Sequence, residues 1–258
     1  MHALGLTRMQ LITQAERILN PDEIAKASAL IERRYAGEPI AYIVGMREFY
    51  GLPFRVTPDV LIPRPETELL VELALARLPA KARVLDMGTG SGAIAVALAH
   101  TRRDASVTAI DASPAALEIA STNAAANAVQ VEFLHSDWYG ALAGRQFALI
   151  VSNPPYVVAG DAHLQQGDLR FEPVDALTDH GDGLSALRAI ITGAERHLTP
   201  GGWLLMEHGY DQAAAVRELL ASAGFSAVQS WQDLAGIERV SGGALHYRHS
   251  RESDGRPA

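Results

Sequence analysis

From Arg83 onward, short apolar runs alternate with stretches in which apolar residues recur every three or four positions. That alternation is the mark of strands followed by amphipathic helices. Arg83–Met87 reads as a strand and Ala93–His100 as a helix. Ser106–Ile110 is a second strand, and Pro114–Asn123 a helix opened by Ser113 as its cap. Val131–Leu134 and Phe147–Val151 read as strands, and Ser185–Leu198 as a helix. Thr199-Pro200-Gly201-Gly202 reads as a turn into the strand Trp203–Glu207, followed by a helix over Gln212–Ala223. Ala227–Gln232 and Val240–Tyr247 look like an antiparallel pair at the carboxyl end. The pattern predicts an α/β fold: a mostly parallel, doubly wound, Rossmann-like sheet with an antiparallel C-terminal strand.

The first sixty residues have a different rhythm. Leu6–Leu19 is rich in helix formers, and Asn20-Pro21-Asp22-Glu23 supplies a cap, a first-turn proline and acids at a helix start. That helix runs to about Tyr35 with Ile24, Ala27, Leu30 and Ile31 on one face, and Gly37 ends it. Glu48–Val56 reads as a short hairpin around Gly51. Leu61–Glu68 is a stiff, proline-bearing linker that opens a helix over Glu66–Arg77. The expected division is a small helical N-terminal domain over residues 1–40, a hairpin and linker over 41–65, the sheet domain over 66–248, and a frayed polar tail over 249–258.

Composition narrows the chemistry. The 258 residues include no cysteine, which excludes disulfide scaffolds, thiol nucleophiles, iron–sulfur clusters and Cys-ligated zinc. The nine histidines are scattered without a His-Glu-x-x-His spacing, so no metal site is expected. The lack of cysteine also fits a reducing cytoplasm, no apolar stretch reaches membrane-spanning length, no basic-then-apolar signal is visible, and a monomer is expected. A net charge of −8 argues against a broad nucleic-acid-binding surface.

The candidate chemistry lies where the strands end. Asp86-Met87-Gly88-Thr89-Gly90-Ser91-Gly92 joins the first strand of the sheet to its helix. Its Gly-x-Gly-x-Gly spacing is neither the dinucleotide fingerprint nor a P-loop, and a plain tight turn reads nearly as well. Asp111 ends the second strand, where this architecture places an acid against ribose hydroxyls. Ser136-Asp137-Trp138 follows the third strand, and its Trp either walls an aromatic ring or packs in the core. Asn153-Pro154-Pro155-Tyr156 ends the fourth. A planar nitrogen has a delocalised lone pair, so it reacts only when acceptors hold its N–H groups before an electrophile. The Asn153 side-chain oxygen and a neighbouring backbone carbonyl are two such acceptors. The two prolines stiffen the loop and remove competing donors, and the Tyr156 ring offers a flat face. Together the four loops describe a nucleoside in one half of a crevice and a planar nitrogen in the other, the geometry of adenosylmethionine-dependent N-methylation.

On these residues the chain resembles the protein-(glutamine-N5) methyltransferases of peptide-chain release factors, the PrmC/HemK family. The resemblance runs from about Glu38 onward. Asn153-Pro154-Pro155-Tyr156 is shared with amino-methyltransferases of DNA. Further stretches carry the likeness: Gly45-Met46-Arg47-Glu48-Phe49-Tyr50-Gly51, Leu61-Ile62-Pro63-Arg64-Pro65-Glu66-Thr67-Glu68, the segment from His163 to Pro173, and Gly236-Ile237-Glu238-Arg239-Val240. The resemblance implies a class I methyltransferase fold. It also implies S-adenosyl-L-methionine as cofactor, contacted by Gly88, Thr89, Gly90, Ser91, Gly92, Asp111, Trp138 and Asn153. Asn153, Pro154, Pro155 and Tyr156 would hold the substrate, the glutamine of a release factor's Gly-Gly-Gln motif. Residues 1–40 would help dock that partner. Family members carry a further helix or more ahead of the segment matching Met1–Gly5, so the N-terminal domain is expected to be truncated.

In the expected mechanism Asn153 Oδ1 and the Pro154 carbonyl accept the two amide N–H bonds, and Tyr156 packs on the amide plane. No general base stands out, so positioning is expected to carry the rate. Glu207-His208 reads as a structural pair rather than an acid–base couple. Arg64 and Glu66 read equally as site-closing groups or as linker charges, Gln165-Gln166 as a loop over the pocket, and Arg33-Arg34 as a solvated face. Two other activities share the tetrapeptide: a glutamine methyltransferase of a ribosomal protein and an adenine-N6 nucleic-acid methyltransferase. The 61–68 string favours the release-factor branch, and the acidic charge disfavours the nucleic-acid one. A non-catalytic adenosylmethionine-binding module is the remaining alternative.

Overall fold

A computed structural model describes residues 2–246. The expected tail, residues 249–258, lies outside the described residues, as does Tyr247.

The N-terminal part holds α1 (Arg8–Thr13), α2 (Pro21–Tyr35) and α3 (Ile40–Val44), preceded by a 3-10 turn at His2–Leu4. The helical stretch expected over Leu6–Leu19 is realised only as far as Thr13. Thr7 caps α1 in a capping box with Gln10. Asn20 begins α2 in the same way with Glu23, and Pro21 is the first helical residue, as the sequence indicates. The apolar face of α2 is only partly covered. Ala27 and Leu30 are half-buried, whereas Ile24 and Ile31 are more than half exposed.

The hairpin forms from β1 (Met46–Phe49) and β2 (Leu52–Arg55), with Tyr50 and Gly51 both at positive φ in the turn. It is not a free spacer. Phe49 and Phe54 belong to the main core cluster, and Tyr42, Val56, Val60 and Ile62 pack on Ala116 and Ile119. The helix α3, which the sequence reading did not assign, contributes Tyr42, whose hydroxyl donates to the Val60 carbonyl at 2.7 Å.

The remaining elements follow the expected order: α4 (Glu68–Arg77), β3 (Arg83–Met87), α5 (Ala93–Thr101), β4 (Ser106–Asp111), α6 (Pro114–Ala126), β5 (Glu132–His135) and β6 (Phe147–Ser152). Then come α7 (Val174–Leu177), α8 (Ser185–His197), β7 (Leu198–Glu207), α9 (Ala213–Ser222), β8 (Phe225–Gln232) and β9 (Glu238–Leu245). They build one seven-stranded sheet in the order β5-β4-β3-β6-β7-β9-β8. The pairs from β5 to β7 are parallel, and β9 runs antiparallel to both β7 and β8. The expected turn at Thr199–Gly202 lies inside β7. There the four residues bulge opposite Ala148, because Phe147 pairs with Leu198 and Leu149 with Trp203.

Alternation along the strands divides the core. Val84, Leu149, Val151 and Leu205 face α4 and α5, while Leu85, Met87, Ile150, Leu204 and Met206 face α8 and α9. After β5 the chain returns to lay β6 against the other edge of β3. The carboxyl ends of β3, β4 and β6 therefore meet at the point where the winding reverses, where this architecture opens a crevice. Among the described residues no helix is long and apolar enough to cross a membrane.

Candidate active site

The loops at those strand ends tie one another down. Gly88 and Thr89 N–H both donate to the Ile110 carbonyl, at 3.0 and 2.9 Å, and Ser136 N–H donates to the Asp111 carbonyl at 3.0 Å. Ser152 Oγ donates to the Met87 carbonyl at 2.8 Å. A cavity of about 470 Å³ opens above them, a volume typical of small-molecule sites.

One half of the cavity suits a nucleoside. Gly88 and Gly90 hold φ of +69° and +53°, which other residues adopt only with strain. Asp111 accepts N–H bonds from Gly90 at 2.8 Å and Ser113 at 2.9 Å. Each of its oxygens keeps a further lone pair, enough for a pair of ribose hydroxyls. Burial pushes the Asp111 pKa up, against the pull of the two N–H bonds. Trp138 lies on the cavity wall with φ +42°, a strained backbone that Ser136 Oγ braces by donating to its carbonyl at 2.7 Å.

Of the eight residues expected at the cofactor, seven line this cavity: Gly88, Thr89, Gly90, Ser91, Asp111, Trp138 and Asn153. Gly92 does not. Its φ is +82°, and a Cβ there would meet Ala120 Cβ at 3.0 Å, so it serves the close approach of α5 to α6. Asp86 takes the local role open to it, accepting from Thr89 Oγ1 at 2.6 Å and Ala95 N–H at 3.2 Å. Its fully buried carboxyl has its pKa pushed up to about 7, and Oδ1 has no partner.

The other half holds the tetrapeptide. Asn153 and Pro155 are on the cavity wall, whereas Pro154 is buried and Tyr156 is not part of the lining. Asn153 Nδ2 donates to Thr67 Oγ1 at 3.3 Å, so the amide oxygen is turned away from that bond. Tyr156 is held by its hydroxyl, which donates to Glu207 Oε1 at 3.4 Å, and by its carbonyl, which accepts from Gln212 Nε2 at 3.0 Å. Glu207 is 2 % exposed, and burial lifts its pKa to about 7.

Other readings are settled by partners distant in the chain. Arg64 pairs with Glu172, whose side chain is fully buried and also accepts the Ile62 N–H at 3.0 Å. That bond joins the 61–68 string to the 163–173 segment and sets Pro63, Arg64, Thr67 and Pro173 on the cavity wall. Gln165 and Gln166 are exposed and do not line the cavity. Glu207 and His208 do not bond each other, since neighbours on a strand point to opposite faces. The buried His208 Nδ1–H donates to the Gly209 carbonyl and Nε2 accepts from Ser241 Oγ, both at 2.8 Å. Arg33 pairs with Glu38, and Arg34 reaches Asp168 at 3.2 Å. Thr67, Asp137 and Asp175 are site residues that the sequence did not single out. Thr67 and Asp137 sit inside strings already noted, but nothing in composition or spacing marks them as facing a ligand.

Comparison with known proteins agrees with this geometry. Residues 1–45 match the family described as PrmC N-terminal domain, and residues 65–171 the family described as Methyltransferase small domain. A release factor glutamine methyltransferase of Burkholderia pseudomallei is 57 % identical over 253 residues, covering 95 % of this chain and 89 % of that protein. The proteins of the same name from Neisseria gonorrhoeae and Escherichia coli are 56 % and 47 % identical, over 91 % and 95 % of this chain and 87 % and 89 % of theirs. A methyltransferase from Pyrococcus furiosus shares the fold, with a TM-score of 0.59 at 20 % identity over 86 % of this chain and 99 % of that one. A 16S rRNA N2 G1207 methyltransferase of T. thermophilus, solved with AdoMet and guanosine, gives 0.58 at 25 % identity, over 78 % of this chain and 50 % of that one. With such identity over nearly its whole length, the chain belongs to the release factor glutamine methyltransferases.

Proposed function

We propose that the protein transfers a methyl group from S-adenosyl-L-methionine to the side-chain amide nitrogen of the glutamine in the Gly-Gly-Gln motif of peptide-chain release factors. The observation that carries the reading is the orientation of Asn153 at the cavity wall, with its Nδ2 committed to Thr67 and its oxygen left to accept. The residues present suit the cofactor: glycines at positive φ in the turn, an acid with spare acceptor capacity, and an aromatic wall around a cavity of about 470 Å³. Bound there, the cofactor supplies an electrophilic methyl on a sulfonium. Gly88, Thr89, Gly90, Ser91, Asp111, Trp138 and Asn153 are the residues proposed to hold it, with Gly92 acting through helix packing instead.

The chain's own contribution is to present the nucleophile. Asn153 Oδ1 and the Pro154 carbonyl accept the two N–H bonds of the glutamine amide and aim its nitrogen along the line of attack. Fixing that approach supplies up to roughly 7–11 kcal/mol of barrier lowering. As the new N–C bond forms the methyl would part from the sulfonium sulfur, which keeps the bonding pair, and the methylated nitrogen, then strongly acidic, would give its extra proton to water. The bond of the Tyr156 hydroxyl to Glu207 supports a role for that residue in bracing the loop. The apolar positions exposed on residues 1–40, among them Met9, Ile12, Ile24 and Ile31, support that part as the docking surface for the protein substrate. Release factors act in the cytoplasm, and the reading places this protein there.

The test is incubation with labelled S-adenosyl-L-methionine and a release factor, followed by mass-spectrometric mapping. Wild type places one methyl on the Gly-Gly-Gln glutamine, and Asn153→Ala keeps its fold but transfers nothing. Methyl on nucleic acid, or a fully active Asn153→Ala, refutes the reading.

A further inference from the structure

We infer that Gln212 is a positioning residue for the reaction: its side-chain amide holds the Asn-Pro-Pro-Tyr loop in the shape that aims the Pro154 carbonyl at the substrate. Between Asn153 and Tyr156 the chain has little freedom of its own. Proline fixes φ at 154 and 155, and the residue before a proline is confined to extended backbone. The prolines also carry no N–H, so the loop cannot brace itself through backbone donors at those two positions. Its near end is set by β6, where Ser152 pairs with Met87 and Met206. Once the far end is held as well, few torsions remain to turn the Pro154 carbonyl.

Gln212 holds that far end. It stands at the start of α9, in the turn after β7, and its Nε2 donates to the Tyr156 carbonyl at 3.0 Å and to the Gly183 carbonyl at 3.1 Å. Its Oε1 accepts the Gly209 N–H at 2.8 Å. All three partners are backbone groups, so their donor or acceptor sense is fixed and the amide has one orientation. A half-turn would set Oε1 against two carbonyls and the NH2 against an N–H. The surface to which Gln212 ties the loop is itself braced. At the start of α8, Asp179 accepts the N–H groups of Gly181 at 2.9 Å, Gly183 at 3.0 Å and Ser185 at 2.7 Å. Gly183 holds φ +77°, and a Cβ there would lie 2.5 Å from the Tyr156 oxygen and 2.8 Å from Nε2, so the two loops meet backbone to backbone. The seam continues beyond the tetrapeptide, with Val157 N–H donating to the Leu177 carbonyl and Ala159 N–H to that of Gly181, both at 2.9 Å. Gln212 is half-buried and does not line the cavity, so it acts through the loop rather than on a ligand.

This inference rests on the substrate reading above, and its test separates the two. Gln212→Met keeps the volume and removes the bonds, and Gln212→Glu keeps the shape but sets an oxygen where Nε2 was. Both are compared with wild type for thermal unfolding, cofactor affinity, kcat with a release factor, and backbone hydrogen exchange by NMR in the ligand-free protein. Both variants are expected to fold, to bind cofactor as wild type does, and to lose about 10- to 100-fold in kcat, the scale of a displacement of about 1 Å at the reacting centre. Gln212→Glu should lose at least as much as Gln212→Met. The amides of Val157 and Ala159 should exchange about tenfold faster in both, while those of β3 and β4 keep their protection. The inference is overturned if either variant keeps its kcat, if cofactor affinity falls in step with kcat, or if Val157 and Ala159 exchange as in wild type. Protection lost across the whole sheet, with a lower unfolding midpoint, also overturns it, since that marks a residue of general stability alone. Should wild type leave the glutamine unmethylated while the exchange pattern holds, the substrate reading falls and the clamp on the loop stands.

Discussion

Removing the two partners of the Arg64–Glu172 ion pair should have unequal costs, because they are unequally buried. The Arg64 side chain is 29 % exposed and that of Glu172 not at all. Arg64→Ala leaves a carboxylate sealed in the wall between the 61–68 string and the 163–173 segment, with only the Ile62 N–H to hold it. Stranding a buried charge costs about 3–5 kcal/mol. Glu172→Ala lets Arg64 turn to water, and the main loss is the buried Ile62 N–H left without an acceptor, about 1–3 kcal/mol. The double variant strands no charge and should cost about as much as Glu172→Ala, which puts the coupling between the sites at several kcal/mol. Guanidinium unfolding of the four proteins at neutral pH measures all three quantities. Cofactor titration should show weaker binding in each variant, since Arg64 and Pro173 line the cavity. Arg64→Ala costing no more than Glu172→Ala, or the two effects adding within about 0.5 kcal/mol, would refute the assignment of the pair as a buried clamp.

Gly92→Ala should destabilise by roughly 2–4 kcal/mol, from a strained φ of +82° and a Cβ 3.0 Å from that of Ala120 and 3.1 Å from its Cα. Adding Ala120→Gly should recover part of that loss in thermal unfolding, whereas a purely ligand-contacting Gly92 gives no recovery. Glu207 titrates near 7 folded against 4.5 as its ordinary value, so between those pH values the folded protein holds the extra proton. Stability from this group is therefore lost as pH rises from about 4.5 to about 7 and is level above, an effect on the order of 3 kcal/mol. Arg239, Glu66, Thr67 and Tyr156 bear on that titration, so the measurement is the gap in unfolding free energy between wild type and Glu207→Gln. The gap should shift against wild type between pH 5 and 8, and a constant gap rejects a raised pKa. Trp138→Ala should weaken cofactor binding by calorimetry, with little loss of affinity arguing for a packing role alone.

Much of this protein is legible locally, because its signals are local. The Asn20–Glu23 capping box, the Ser113 cap, the Tyr50-Gly51 turn and the alternation of strand and helix each depend on residues a few positions apart. They predict the elements nearly in place, and with them the four loops at strand ends. Residues 6–19 show the limit of propensity: good helix formers without a sustained buried face hold only the turns beginning at the Thr7 cap. Thr199–Gly202 reads locally as a turn into a strand beginning at Trp203, whereas pairing with the facing strand makes it a bulge within β7.

What the sequence determined by itself is the kind of chemistry: a glycine turn, an acid, an aromatic and an Asn-Pro-Pro-Tyr at successive strand ends, in an order that names a fold and a reaction. The tertiary structure decided which of those residues face the cavity and which hold others in place. Gly92 packs one helix on another, and Tyr156 anchors its loop on Glu207. Thr67, 86 positions from Asn153 in the chain, accepts a hydrogen bond from its side-chain amide. The physical reason is that a hydrogen bond or a close contact depends on separation in space, and only the packing of α4 and the order of the strands sets Thr67 beside Asn153 and Glu207 beside Tyr156.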